Sequence, residues 1–232
     1  MEKNIMKNDV YILKTTQNYI ILNDNYEGLI VLDKNLNFSK KIYVAEDLFI
    51  YQAYSSELND YVVIQDVEND ILYSINIETN DIKKRNWKDI FSIYYYVEQE
   101  QFSLNSKKTK YQFFYNELNE VVYFKEELVN GTILSNCQET ILYNTKTNEL
   151  NYNDKVIQSP PTKVEQYKVD KDLILSYSEK YLYVFFQGNW NLLYEAEEQF
   201  SIRECSFSLG LIYVLVNNKS NIEQSLVQVI SL

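Results

Sequence analysis

Pairs of short apolar runs, each pair joined by a polar turn, recur along the whole chain. "YIILN" (19–23) passes through "DNYE" into "GLIVLD" (28–33), and "YVVIQ" (61–65) passes through "DVEND" into "ILYSINI" (71–77). Later, "DLILSYS" (172–178) precedes "YLYVFF" (181–186), and "ECSFSLG" (204–210) precedes "LIYVLV" (211–216). Runs this short, bounded by turn residues, read as strands. Because they are almost continuously apolar rather than alternating, they are expected to bury both faces, as strands do between stacked sheets. An all-β chain of antiparallel sheets follows.

Composition agrees. The chain carries 22 Tyr and 11 Phe against 4 Gly and 2 Pro, and aromatic side chains suit a pleated, half-buried surface. The best helical candidate is "YEAEEQFSIREC" (194–205), with acids early and Arg203 late; a strand, an acidic loop and a second strand describe it equally well. Pro160-Pro161 breaks regular structure and is placed in a connection.

The runs also have a rhythm. Tyr19 and Tyr61 begin two matching strands 42 residues apart. Thr132 in "GTILS" and Asp172 in "DLILS" are 40 residues apart. The segment "NDILYSINIETNDI" (69–82) has an echo in "ILYNTKTNEL" (141–150), where Ile-Leu-Tyr again leads into a Thr-Asn-acid-aliphatic turn. Asn beside an acid suits such a turn, since both tolerate left-handed backbone. In this rhythm the chain resembles β-propeller repeat proteins in general, without a WD40, kelch or Asp-box signature. The resemblance implies one propeller-like domain over residues 1–232, of five units at about 46 residues or six at about 39. Five is the expectation, and an irregular β-sandwich or barrel is the alternative.

Charge and residue types bound the function. Net charge is −11, and only two arginines occur, Arg85 and Arg203; nucleic acid and anionic membranes, which call for many cations, are not expected partners. Histidine is absent and four dispersed glycines form no phosphate loop, so histidine-based catalysis and nucleotide cradles are not expected. Asp66-x-Glu68-x-Asp70 and Asp33-x-Asn35-x-Asn37 carry calcium-loop spacing at their start. They lack the later glycine and glutamate, and read as hairpin turns. Acids gather in turns rather than facing each other from strands, so no glycosidase pair is evident. No enzyme, cofactor or metal is expected. Cys137 and Cys205 read as buried small hydrophobes, with a disulfide between them left open. The N-terminal stretch lacks an apolar leader region, and the expected location is cytoplasmic.

Aromatic side chains are the remaining contact candidates. Trp190 leads, because "QGNWN" reads as a turn and turns are exposed. Trp87, Tyr94, Tyr95 and Tyr96 follow, since one of any two adjacent strand aromatics faces away from a single core. The expected function is a non-enzymatic binding or scaffold module for a protein partner. The charge favours a basic partner, as in an inhibitor or immunity-type role. The alternatives are a carbohydrate-binding or carbohydrate-hydrolysing propeller, and a structural subunit of a larger assembly.

Overall fold

The computed structural model describes residues 2–55, 57, 59–66, 68–86, 102–105, 109–115, 121–127, 132–133, 142–144, 149–152, 155–162, 166–170 and 173–232. The chain divides into two compact units: residues 1–90 with 196–232, and residues 91–195. Among the described residues there are strands and turns but no helix.

The first unit opens with β1 (Glu2–Met6), β2 (Leu13–Thr15), β3 (Tyr19–Asp24), β4 (Gly28–Asp33), β5 (Phe38–Tyr43), β6 (Ile50–Ser55), β7 (Tyr61–Asp66), β8 (Ile71–Asn76) and β9 (Ile82–Asn86). The second holds β10 (Phe102–Asn105), β11 (Thr109–Tyr115), β12 (Val121–Glu127), β13 (Thr132–Ile133), β14 (Leu142–Asn144), β15 (Glu149–Tyr152), β16 (Lys155–Gln158), β17 (Gln166–Asp170), β18 (Leu173–Tyr177), β19 (Tyr181–Phe186) and β20 (Asn189–Glu195). The chain then returns to the first unit with β21 (Phe200–Ser208), β22 (Leu211–Asn218) and β23 (Asn221–Ser231). Among the described strands every pairing is antiparallel, and all but one join neighbours in sequence: β1 pairs β23, Glu2 opposite Gln228 and Met6 opposite Gln224. The first and last described strands of the chain therefore share one sheet, in the order β1-β23-β22-β21.

The continuous apolar runs have a direct explanation in the first unit. Along β3 and β4, Ile21, Leu29 and Val31 pack with Val62, Ile64, Tyr73 and Ile75 of the β6–β9 sheet. Their neighbours Ile20, Leu22, Ile30 and Leu32 pack with Tyr213, Leu215 and Val227 of the β1-β23-β22-β21 sheet. Successive side chains of a strand point to opposite faces, and here each face meets another sheet. Strands in this position read as unbroken hydrophobic runs. In the second unit a smaller core joins Leu150 and Ile157 to Tyr167 and Ile174, with Phe185 and Trp190 against it.

The described strands form six sheets, five of four strands and one of three, so the division into five units gives way to six. The unit length is also less regular than the sequence rhythm implies. Second strands begin at Tyr19, Tyr61, Thr109, Leu142, Leu173 and Leu211. The interval is 42 residues from 19 to 61 but 31 from 142 to 173, because β13–β16 are only two to four residues long. Two of the sequence matches are out of phase. The "ILYSIN" of 71–76 is a third strand, whereas Leu142–Asn144 is a second strand; likewise Thr132–Ile133 is a first strand and Leu173–Tyr177 a second. Only Tyr19 and Tyr61 mark equivalent positions. The helical candidate 194–205 is the end of β20, a turn and the start of β21. Pro160-Pro161 lies in the connection from β16 to β17.

Candidate functional site

Four connections of the first unit meet at one edge: residues 7–12 before β2, the β3–β4 turn, residues 44–49 before β6, and the β7–β8 turn. Asn23, fully buried at the end of β3, organises the first two. Its side-chain oxygen accepts from the backbone N–H of Tyr11 (2.8 Å) and Ile12 (2.9 Å), and its amide donates to the carbonyls of Asp9 (2.7 Å) and Asn25 (3.1 Å). Asn25, in left-handed backbone, accepts from the N–H of Asp9 at 2.8 Å. The third connection docks through Leu48 N–H to Tyr26 O (2.7 Å) and Val44 N–H to Glu27 O (2.9 Å). The fourth approaches through the Asn69 amide, which donates to Asp47 O at 3.4 Å and to its own turn's Asp66 at 2.8 Å.

These bonds hold three rings in a row. Tyr26 sits 6.1 Å from Tyr11 and 5.4 Å from Phe49 between ring centroids, each pair tilted. Tyr11 is the inner member; burial pushes its hydroxyl up to about 12, against the opposing hydrogen bond from Ile50 N–H. Tyr26 and Phe49 reach the surface, with 41% and 44% of their area exposed. The Tyr26 hydroxyl donates to Asp9 at 2.9 Å, and that bond raises its pKa above the ordinary tyrosine value. Tyr51 and Tyr43, both exposed, lie at the adjoining ends of β6 and β5. Glu27, Glu46 and Asp47 are exposed carboxylates on the same connections. Asp24 is bonded by Asn8 and by Lys41, the latter at 2.7 Å; Lys7 is the exposed cation of the first connection. The combination is an apolar, π-rich strip bordered by negative charge.

Trp190 is placed differently from the sequence expectation. The turn is only Gln187 and Gly188, both with positive φ, so Phe186 pairs directly with Asn189 and Trp190 falls within β20. A two-residue hairpin of this kind matches strand twist and needs left-handed backbone at both positions. The Trp190 indole N–H donates to Gln158 O at 2.7 Å, and the ring packs on Phe185 and Tyr167. Trp87, Tyr94, Tyr95 and Tyr96 lie outside the described residues. Sequence reasoning passed over Tyr26 and Phe49; the rule that selected Trp190, an aromatic inside a polar turn, selects Tyr26 when applied to "DNYE".

The two near-calcium spacings are turns. Asp33 accepts from the N–H of Asn35 and of Asn37, both at 2.8 Å, and from the Asn37 amide at 2.9 Å. The Asn37 side chain and these N–H groups hold the Asp33 carboxyl below the usual range. Asp66 serves its turn in the same way, through Asn69. Cys205 is fully buried in β21.

No protein-family model matches the chain, and no curated protein sequence matches it. Solved structures do. The β-propeller domain of Myceliophteria thermophila Cps50 (Swd1) superposes with a TM-score of 0.53 at 9% identity, over 98% of this chain and 87% of that one. Kluyveromyces lactis Hsv2 gives 0.50 at 11% identity, over 93% and 72%. A KlHsv2 variant with loop 6CD replaced by a Gly-Ser linker gives 0.53 at 9%, over 93% and 75%. The chain has the fold of a small β-propeller. At these identities the likeness is one of fold alone.

Proposed function

We propose that this propeller is a single-domain, non-enzymatic binding module that engages a basic protein segment. The observation that supports this reading is the exposed Tyr26–Phe49 strip bordered by Asp9, Glu27, Glu46 and Asp47. Exposed, contiguous apolar surface rimmed by polar groups marks interaction sites, and aromatic side chains are enriched in the cores of interfaces. The net charge of −11 adds a field that draws in cationic partners and repels acidic ones. An inhibitor-like role against a cationic protein is the narrower form of the same reading. Trp87 and Tyr94–Tyr96 remain contact candidates; the buried side of Trp190 is taken up by its own sheets.

The test is an array of immobilised 12-residue peptides, basic, neutral and acidic, probed with the purified chain and with a Tyr26→Ala/Phe49→Ala double variant. Enrichment on basic peptides, reduced in the variant and by added salt, is expected. An even response across the three classes overturns the reading. Binding to a glycan array that the double variant abolishes supports the carbohydrate-binding alternative instead.

A further inference from the structure

Resting on that reading, we infer that the Tyr26–Phe49 pair is the seat of an arginine side chain of the partner, stacked on the rings with its N–H edge turned to Asp9. Three features of the site select this chemistry. The first is the ring pair itself, two adjacent, partly exposed aromatic rings 5.4 Å apart between centroids and tilted by 42°. A planar guanidinium stacks on such faces, whereas an ammonium keeps its hydration shell more strongly.

The second is the carboxylate. Asp9 is fixed at the rim of the Tyr26 ring, held there by the hydroxyl bond at 2.9 Å and by its own N–H to Asn25. A cation lying on the ring meets this acid along its edge, which suits the fork of N–H donors on arginine rather than a single point charge. The third is rigidity. The strip does not have to be ordered on binding, since Asn23, buried and four times hydrogen-bonded, fixes the connection carrying Asp9 and Tyr11. The Leu48 and Val44 backbone bonds fix the connection carrying Phe49. Preorganisation of this kind lowers the entropy lost on association.

The flanking exposed acids argue for a peptide over a lone cation. Glu27 lies beside Tyr26, and Glu46 and Asp47 precede Phe49, so negative charge extends on either side of the ring pair. A single guanidinium covers one ring face. An extended segment with further cations uses the rest.

The experiment compares two fluorescein-labelled 12-residue Gly/Ser peptides, one with four arginines and one with four lysines at the same positions, by fluorescence anisotropy at low salt. The arginine peptide is expected to bind about fivefold tighter, because the weakly hydrated guanidinium stacks on the rings while the lysine ammonium keeps its hydration shell. Tyr26→Ala and Phe49→Ala are each expected to bring the ratio close to one, by weakening the arginine peptide more than the lysine peptide. Tyr26→Phe, which keeps the ring, is expected to retain most of the preference. Circular dichroism establishes that each variant is folded. Equal binding of the two peptides by the parent chain, or a ratio unmoved by the alanine variants, overturns the arginine seat and leaves the proposed function standing. Binding of neither peptide overturns both.

Discussion

The indole N–H of Trp190 on β20 donates to the backbone carbonyl of Gln158 on β16 at 2.7 Å, joining the last strand of one sheet to the last strand of the sheet before it. The same ring packs on Phe185 and Tyr167, so its polar edge and its apolar faces are both used inside this unit. Trp190→Phe keeps most of the packing and removes the donor; a loss of about 1 kcal/mol is expected. Trp190→Ala is expected to cost about 2 kcal/mol, below the figure for a fully buried tryptophan because the residue is half-buried. Urea unfolding followed by circular dichroism measures both. An unchanged midpoint in Trp190→Ala would show that the indole contributes nothing to the stability of this unit.

Asp60 clamps one sheet's turn onto the next. Nearly buried, its carboxylate accepts from Thr16 Oγ1 (2.7 Å), Asn18 N–H (2.8 Å) and the Asn18 amide (2.6 Å), and its carbonyl accepts from Ile77 N–H (2.8 Å). Replacing it with alanine leaves the buried Thr16 hydroxyl without this acceptor. Asp60→Ala is expected to destabilise by about 2–3 kcal/mol, read as a lowered urea midpoint. Asp60→Asn, which retains one acceptor oxygen, should fall between the two. A midpoint equal to the parent's would show that water replaces the carboxylate without penalty.

How much of this was legible in the sequence depends on what each residue's signal was. Continuous apolar runs such as Ile20-Ile21-Leu22 announced strands with two buried faces, and the structure gives each face its own sheet. Tyr19 and Tyr61 gave a true period because both open second strands with near-identical burial. The "ILY" echo misled. A second strand such as β3 and a third such as β4 are both buried on two faces, so their composition is alike and a local match does not fix phase. The site was hidden for a different reason. Tyr26 and Phe49 are 23 positions apart and meet only because the 44–49 connection hydrogen-bonds back to the β3–β4 turn. Trp190 was placed in a turn because a five-residue polar stretch conceals a two-residue hairpin, set by the left-handed backbone of Gln187 and Gly188.

Gly28 opens β4 where β5 passes closest. A Cβ built there would lie 2.0 Å from the carbonyl oxygen of Ile42 and 3.1 Å from the Tyr43 Cα, both backbone atoms that cannot rotate away. Gly28 pairs with Tyr43 and Asp24 in the ladder, so relief requires the sheet to separate next to the aromatic strip. Gly28→Ala is therefore expected to cost about 3 kcal/mol or more. It should also weaken basic-peptide binding, since Tyr26 lies two residues away. Thermal unfolding together with the peptide array reads both effects, and a variant as stable as the parent would refute the close approach.

The last expectation concerns Lys34, whose amine is drawn into the opposite edge of the first unit. Its Nζ donates to Thr16 O at 2.6 Å and to Ser208 Oγ, while its carbonyl accepts from the Tyr213 hydroxyl at 3.0 Å. Burial lowers its pKa from 10.5 to about 8, with Glu57 and Asp60 pulling the other way. Between those two values the unfolded chain holds a proton that the folded chain has released. Stability must then rise with pH across that window. Tyr11 acts with the opposite sign. Raised from 10.0 to about 12 by burial, it keeps its proton when folded after the unfolded tyrosine has lost it, so stability falls as pH climbs from 10 towards 12. Self-repulsion of an already acidic chain also grows at alkaline pH, and the difference between two variants removes that background. The urea midpoint of the parent relative to Lys34→Met is expected to rise from pH 7.5 to pH 10. A difference that stays flat across this range would show that the Lys34 amine is solvated as in the unfolded chain.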